Sequence, residues 1–360
     1  MKSIPVHDHG VMEGKGSYNR YSRIPAGGMS LALPRLQEAV QKVELGRDEQ
    51  PVVVADYGSS QGKNSLAPMR VAIRTLRERL GPDRPIFVFH VDQPTNDFNT
   101  LFEVVSAHPE RYVLDEPNIF PCAIGRSFYE GVFPQRYVHL GWSSFAAMWL
   151  SHIPTLIPGH FIARCSTGTA RDAFEHQAAQ DWEAFLSLRA RELRPGGRLV
   201  VVLAALNDEG ISGLEDIFNR ANAVLGEMVD TGAIRAEERE RMVLGAYPRR
   251  RRDLLAPFHA VGQFQNLRVE SCDLTPLPDS AWADYDRDGN VDALATKHAL
   301  FFRSVFVPTL ALALSEAHDA EQRHVFADRF ENGLKRHLVD QPAPLHSFVQ
   351  TMVLVKQDSM

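Results

Sequence analysis

The chain has three cysteines, Cys122, Cys165 and Cys272, in 360 residues. They are scattered, odd in number and without CxxC spacing, which excludes a disulfide framework and the usual zinc sites and fits a reducing cytoplasm. Long uncharged apolar runs are missing too, so no segment reads as a bilayer span. The N-terminal stretch MKSIPVHDHGVMEGKGSYNRYSR lacks the apolar core of a signal peptide. Positive charge is not in excess: the formal charge of −6 gives no pull toward nucleic acid or an anionic membrane. The one basic run, Arg249 to Arg252, reads as a solvated loop. No Ser-His-Asp or Cys-His constellation is evident, and there is no internal repeat. The expectation is a soluble cytoplasmic protein that binds a small molecule.

What is present is an alternation of apolar runs and helical patterns. VVVAD (52–56) reads as a buried strand and LAPMRVAIRTLRERLG as a helix closed by Gly81, with Pro68 tolerable only in its first turn. IFVFHVD (86–92) is a second strand, followed by the helix DFNTLFEVVSAH with Asp97 near its cap. Tyr137 to Gly141 is a third candidate strand, followed by a candidate helix at SSFAAMWLSHI that Ser143 or Ser144 could cap. The amphipathic ARDAFEHQAAQDWEAFLSLRAREL then meets a Pro-Gly-Gly turn and a strand so apolar that both faces must be covered. The class is α/β, a parallel sheet wound on both sides. Beyond residue 207 the pattern turns helical, except for strands at LRVESCDL (267–274) and SFVQTMVLVK (347–356). This predicts a core of 1–206, 263–275 and 339–360, with a helical cap from 207–262 and 276–338. Asp284 to Gly289 imitates the start of a calcium loop, but its twelfth position is Ala295 rather than Glu.

The turn after the first strand, ADYGSSQGKN (55–64), limits the ligand. A triphosphate loop needs four residues between its glycines and a hydroxyl after the lysine; Gly58 and Gly62 are one residue too close, and Asn64 replaces the hydroxyl. The dinucleotide fingerprint fails at Ser60, which disfavours a dehydrogenase. A nucleoside with an amino-acid tail remains: Asp56 could accept from an ammonium, and Asp92, at the carboxyl end of the next strand, from a ribose diol. Both aspartates could equally cap their loops.

Five segments in order, GSYNRYS (16–22), ADYGSSQGKN (55–64), VDQPTNDFNTLF (91–102), RSFYEGVFP (126–134) and SSFAAMWLSHIP (143–154), together resemble the SABATH methyltransferases. That family includes the salicylate, benzoate and jasmonate carboxyl methyltransferases and the caffeine-pathway N-methyltransferases. PGGRLVV and FADRFENGLKRHL extend the resemblance along nearly the whole chain. It implies a class I methyltransferase fold, a doubly wound seven-stranded sheet with a mainly helical cap, often a homodimer, using S-adenosyl-L-methionine. Matched residue by residue, Tyr18 and Ser22 fall near the methionine part of that cofactor. Asp56, Gly58, Ser60 and Asn64 match its first motif, Asp92 the ribose-binding acid, Gln93 a position beside the adenosine, and Ser127 and Phe128 the pair that holds and stacks the adenine. Trp149 matches the tryptophan whose indole N–H, a donor only, meets the substrate carboxylate. Phe145, Met148 and Phe218 match positions around the substrate ring.

The sequence also departs from the family. Pro25 stands where a carboxylate-gripping Gln is common, and Arg23 or Arg20 could supply a charge-assisted bond instead. Arg241 to Pro248 lacks the Asp and Asn that hold magnesium in some relatives, so no functional metal is expected. His139 is read as structural. The resemblance thus implies methyl esterification of a small, aromatic or otherwise apolar carboxylic acid without a general base. The alternatives are N-methylation of a heterocycle, separable because an ester is cleaved by mild alkali, and a non-catalytic binding protein of the same fold.

Overall fold

In the computed structural model, which describes residues 23–46, 50–114, 116–260, 262–315 and 318–358, the run Val52–Tyr57 forms β1, buried along its whole length. Successive side chains of a strand point to opposite faces. Val52 and Val54 therefore pack under helices α1 (Arg23–Lys42), α2 (Lys63–Leu80) and α3 (Phe98–Ala107), while Val53, Ala55 and Tyr57 pack against α4 (Thr169–Glu192). The helix α2 starts three residues earlier than its apolar pattern suggests, so Pro68 sits in the second turn rather than the first. Asp97 caps α3 as expected, its carboxylate accepting from the Thr100 N–H at 3.1 Å.

The other strands are β2 (Ile86–Asp92), β3 (Ile119–Gly125), β4 (Val138–Ser144), β5 (Leu193–Ala205), β6 (Gln263–Phe264), β7 (Leu267–Pro276) and β8 (Phe348–Lys356). The sheet runs β3-β2-β1-β4-β5-β8-β7-β6. It is parallel from β3 to β5 and antiparallel from β5 through β8, β7 and β6. There are eight strands rather than seven, the extra one being the two-residue β6, which closes a hairpin on β7. The Pro-Gly-Gly expected to precede β5 lies within it: Leu193 opposes Val138 and Arg198 opposes Leu140, so the extra residues bulge out of the ladder.

The expected helix at SSFAAMWLSHI does not form. The strand β4 continues through Ser144, and the chain then turns, with Trp149 bridging Ala246. Trp142 and Ser143 are buried, and Ser143 Oγ donates to the Tyr57 carbonyl at 3.0 Å instead of capping a helix. The segment is apolar because it lines a cavity, which mimics the apolar stripe of a helix.

Three longer helices, α5 (Glu215–Asp230), α9 (Val291–Ala311) and α10 (Ala320–Asp340), share a separate apolar cluster containing Phe218, Phe302, Phe306 and Phe330. Shorter helices α6 (Ala236–Arg241), α7 (Arg251–Leu255) and α8 (Ser280–Asp288) join the parts. The calcium-like aspartates lie on α8, whose end is closed by Gly289, and Asp284 is paired with Arg287 and Lys297. A helix cannot wrap a cation as a calcium loop does, so the calcium reading falls.

Candidate active site

A cavity of about 460 Å³ opens at the carboxyl ends of the parallel strands and runs under the helices α5 and α9. One end is polar. Gly58, Ser60 and Gln61 line it from the β1–α2 turn, Asp92 and Gln93 from the end of β2, and Ser127 and Phe128 from the segment after β3. Asp92 ties these pieces together: its carboxylate accepts from the Ser60 N–H at 2.7 Å and the Gln93 N–H at 2.8 Å. Burial pushes its pKa up to about 6, partly opposed by those two N–H donors.

Two non-glycine residues on the wall sit in the left-handed region, Ser60 at φ 49° and Phe145 at φ 54°. Each is sparsely populated and costs about 1–3 kcal/mol. They are held because Asp92 fixes one N–H and the Val202 carbonyl the other, at 2.8 Å. Gly58 has φ 90°, and a Cβ there would stand 2.1 Å from that of Ala146, so only glycine lets the turn meet the loop after β4.

The far end is apolar. Phe145, Met148 and Trp149 from that loop face Ile162, Leu214, Phe218, Phe301, Val305 and Phe306. The loop is held by its backbone. Tyr129 Oη donates to the Trp149 carbonyl at 2.7 Å, Arg249 to the Ala147 carbonyl at 2.7 Å, and the Tyr247 N–H to the Met148 carbonyl at 2.9 Å. Arg249 is thus no solvated loop residue. It is buried and also donates twice to the Ala178 carbonyl of α4, so that two peptide oxygens, taking three hydrogen bonds, stand in for water around its guanidinium. Arg250 pairs with Glu175 and Asp253, and Arg251 donates to the Cys272 carbonyl.

Of the residues singled out from sequence, Gly58, Ser60, Asp92, Gln93, Ser127, Phe128, Phe145, Met148, Trp149 and Phe218 line this one cavity. Asp56 and Asn64 do not. The Asp56 carboxylate is buried in the core, accepting from Ser65 Oγ at 2.5 Å and standing 3.1 Å from His90 Nδ1, whose other nitrogen meets Tyr112 at 2.8 Å. Asn64 lies in the first turn of α2. Tyr18, Ser22, Arg20 and the side chain of Arg23 lie outside the described part of the chain. His139 is buried on β4, accepting from the Val53 N–H at 3.1 Å, a structural contact.

Sequence reading missed the residues that hold the wall in place. Arg189 and Glu192, at the end of α4, form a buried ion pair at 2.9 Å. Arg189 donates to the Phe128 carbonyl at 2.9 Å, and Glu192 accepts from the Val132 N–H at 2.8 Å and from the Tyr57 hydroxyl at 2.8 Å. The pair therefore sets the course of the segment carrying Ser127 and Phe128. Their only signal was two charges three apart on an otherwise amphipathic helix, which reads as solvated.

The model of the SAM dependent carboxyl methyltransferase family matches residues 6–356. The chain belongs to that family. Salicylate carboxymethyltransferase of Clarkia breweri is 27% identical over 318 residues, covering 84% of this chain and 86% of its own. Gibberellic acid methyltransferase 2 of Arabidopsis thaliana is 26% identical over 296 residues, 76% of each. Methyltransferase LUC1 of Fusarium sp is 32% identical over 235 residues, 62% of this chain and 59% of its own length, so the match spans less than two thirds of that protein. A solved structure of loganic acid methyltransferase with SAH superposes with a TM-score of 0.78 over 97% of this chain and 99% of its own; at 23% identity this likeness shows the shared class I methyltransferase fold.

The family's cofactor, S-adenosylmethionine, fits the polar end. Asp92 and Asp97 line it, with amide and hydroxyl groups and no Lys or Arg among the described residues of that wall. A phosphorylated ligand would meet two carboxylates there; a sulfonium nucleoside with a ribose diol and an ammonium meets acceptors. Among the described residues no group of three or more His, Cys, Asp or Glu could hold a metal ion, and no helix is long and apolar enough to cross a membrane.

Proposed function

We propose that this carboxyl methyltransferase forms the methyl ester of a small, largely apolar carboxylic acid. The observation that carries this reading is the composition of the acceptor end. Its described walls are aromatic and aliphatic, with the polar edge supplied by hydrogen-bond donors, among them Trp149 and Arg164. Such a wall suits an acceptor that arrives already charged, as a carboxylic acid with a pKa of about 4 does at neutral pH. When bound, S-adenosylmethionine supplies a methyl group on a positively charged sulfur, which the carboxylate oxygen takes as the carbon–sulfur bond breaks. The chain's own part is positioning: Trp149 donates to the carboxylate, Met148, Phe145 and Phe218 fix the apolar body, and the helices above exclude water.

In the same reading Asp92 accepts the ribose hydroxyls and Gln93 lies beside the adenosine, held and stacked at the adenine by Ser127 and Phe128. Gly58 and Ser60 cradle the methionine part. The roles of Tyr18, Ser22, Asn64 and Arg23 rest on the family resemblance alone, and Asp56 acts behind the turn, through Ser65, rather than on the ligand. Residues 207–262 and 276–338 form the cap over a core of 1–206, 263–275 and 339–360; the separate apolar cluster of α5, α9 and α10 supports that division. The reading includes a cytoplasmic homodimer. In its favour are three free cysteines and the aromatic row that runs inward from Phe120 on the edge strand β3 through Phe87 and Phe89 of β2 to Tyr137 before β4, of which Phe120 and Tyr137 are exposed. The test is a screen of aromatic, indolic and aliphatic acids with methyl-labelled cofactor. Base-labile labelled product is expected; alkali-stable product only would sink ester formation.

A further inference from the structure

Among the described residues that line the cavity, Arg164 is the one cation. It stands on the short 3₁₀ turn Ala163–Cys165, beside Ile162 and opposite Ser212 and Leu214. Its guanidinium donates to the Gly210 carbonyl and also bonds the Tyr247 hydroxyl. Neither partner is a carboxylate, and among the described residues no Asp or Glu pairs with it. The Arg164 Nε–H is buried and meets no acceptor there. A half-buried guanidinium with a spare donor, set in an apolar wall, is poorly solvated and unneutralised, the condition in which an arginine takes an anion.

We propose that Arg164 receives a second carboxylate of the acceptor, distal to the one that is methylated, so that the preferred substrates are dicarboxylic acids converted to monoesters. This rests on the ester-forming reading above. Two considerations separate this anion from the reacting one. The contacts of Arg164, Gly210 and Tyr247, belong to the cap segment 207–262, whereas the reacting oxygen must face the cofactor end. A full cation on the nucleophilic oxygen would also hold back the electron pair that forms the new bond, while a neutral indole N–H orients it at smaller cost.

The test compares matched acids, azelate with nonanoate and terephthalate with benzoate, on protein loaded with S-adenosylhomocysteine. Calorimetry on the wild type, Arg164→Met and Arg164→Lys gives the affinity ratio of diacid to monoacid. The wild type should favour at least one diacid by about tenfold or more, as a charge-assisted hydrogen bond allows. The ratio should fall to near one in Arg164→Met and keep an intermediate value in Arg164→Lys. A wild-type ratio at or below one for both pairs, which needs no variant, overturns the proposal. So does a ratio that survives in Arg164→Met, since that arginine would then grip the reacting carboxylate or serve the fold alone. If diacid binding follows Arg164 but neither acid yields an ester with S-adenosylmethionine, the anion site stands and the ester-forming reading fails.

Discussion

The two ends of the cavity are built by opposite means. The cofactor end hangs on charge: the half-buried Asp92 gathers the turns after β1 and β2, and the buried Arg189–Glu192 pair steers the segment after β3. The acceptor end hangs on rings and backbone. Phe218 meets Phe161, Phe302 and Phe306 edge-on at 5.4–6.0 Å, and carbonyls anchor the Trp149 loop. Directional bonds to a fixed ligand need fixed atoms, so the first end is specified by a few residues at set spacings. Packing around a variable ligand needs only volume, so the second can change residue by residue while the first cannot.

The largest effect expected comes from breaking the buried pair. Arg189→Met leaves the Glu192 carboxylate uncompensated and should lower unfolding stability by about 3–5 kcal/mol, measured by urea titration. A loss under about 1 kcal/mol would mean that the cofactor end does not depend on buried charge. Next, Asp92→Asn should weaken S-adenosylhomocysteine binding by about 1.5–3 kcal/mol in calorimetry while sparing the affinity for acids. An equal loss for both ligands would erase the distinction between the ends. Trp149→Phe should do the reverse, costing about 1–2 kcal/mol in kcat/KM for the acid with cofactor affinity kept.

The smallest effect is on pH. The Asp92 carboxyl is raised to about 6, and ribose hydroxyls donate to its charged form. Cofactor affinity should therefore be level above that pH and fall as pH drops through it, to about a tenth at pH 5. An affinity independent of pH between 5 and 7 would remove Asp92 from the ribose.

The same contrast explains what was legible in the sequence. The cofactor end could be read because Gly58, Ser60, Asp92 and Asp97 sit at strand ends and helix caps, where backbone geometry limits the choice of residue. The strand β3 was not read: IFPCAIG is a half-covered edge strand, with Phe120 exposed and Pro121 inside, so neither alternation nor a buried run marks it. The helix α1 was obscured by Pro25, Gly27, Gly28 and Pro34, although its buried Met29, Ala32, Leu36, Ala39 and Val40 keep helical spacing. At the acceptor end FAAMWL imitated a helix because the cavity wall and a helix face make the same demand for apolar side chains. Arg249 was concealed by three more arginines; nothing in a basic run tells which member turns inward.

The loop from Phe145 to Leu150 is gripped through its peptide groups: its carbonyls take Tyr129, Arg249 and the Tyr247 N–H, and the Leu150 N–H reaches the Gly245 carbonyl at 2.6 Å. Every residue type but proline offers those same groups, so exchanging Met148 or Trp149 for another such side chain redraws the chamber and leaves the clasp intact. New acid preferences are therefore within reach of single substitutions, with no need to rebuild the scaffold that presents them.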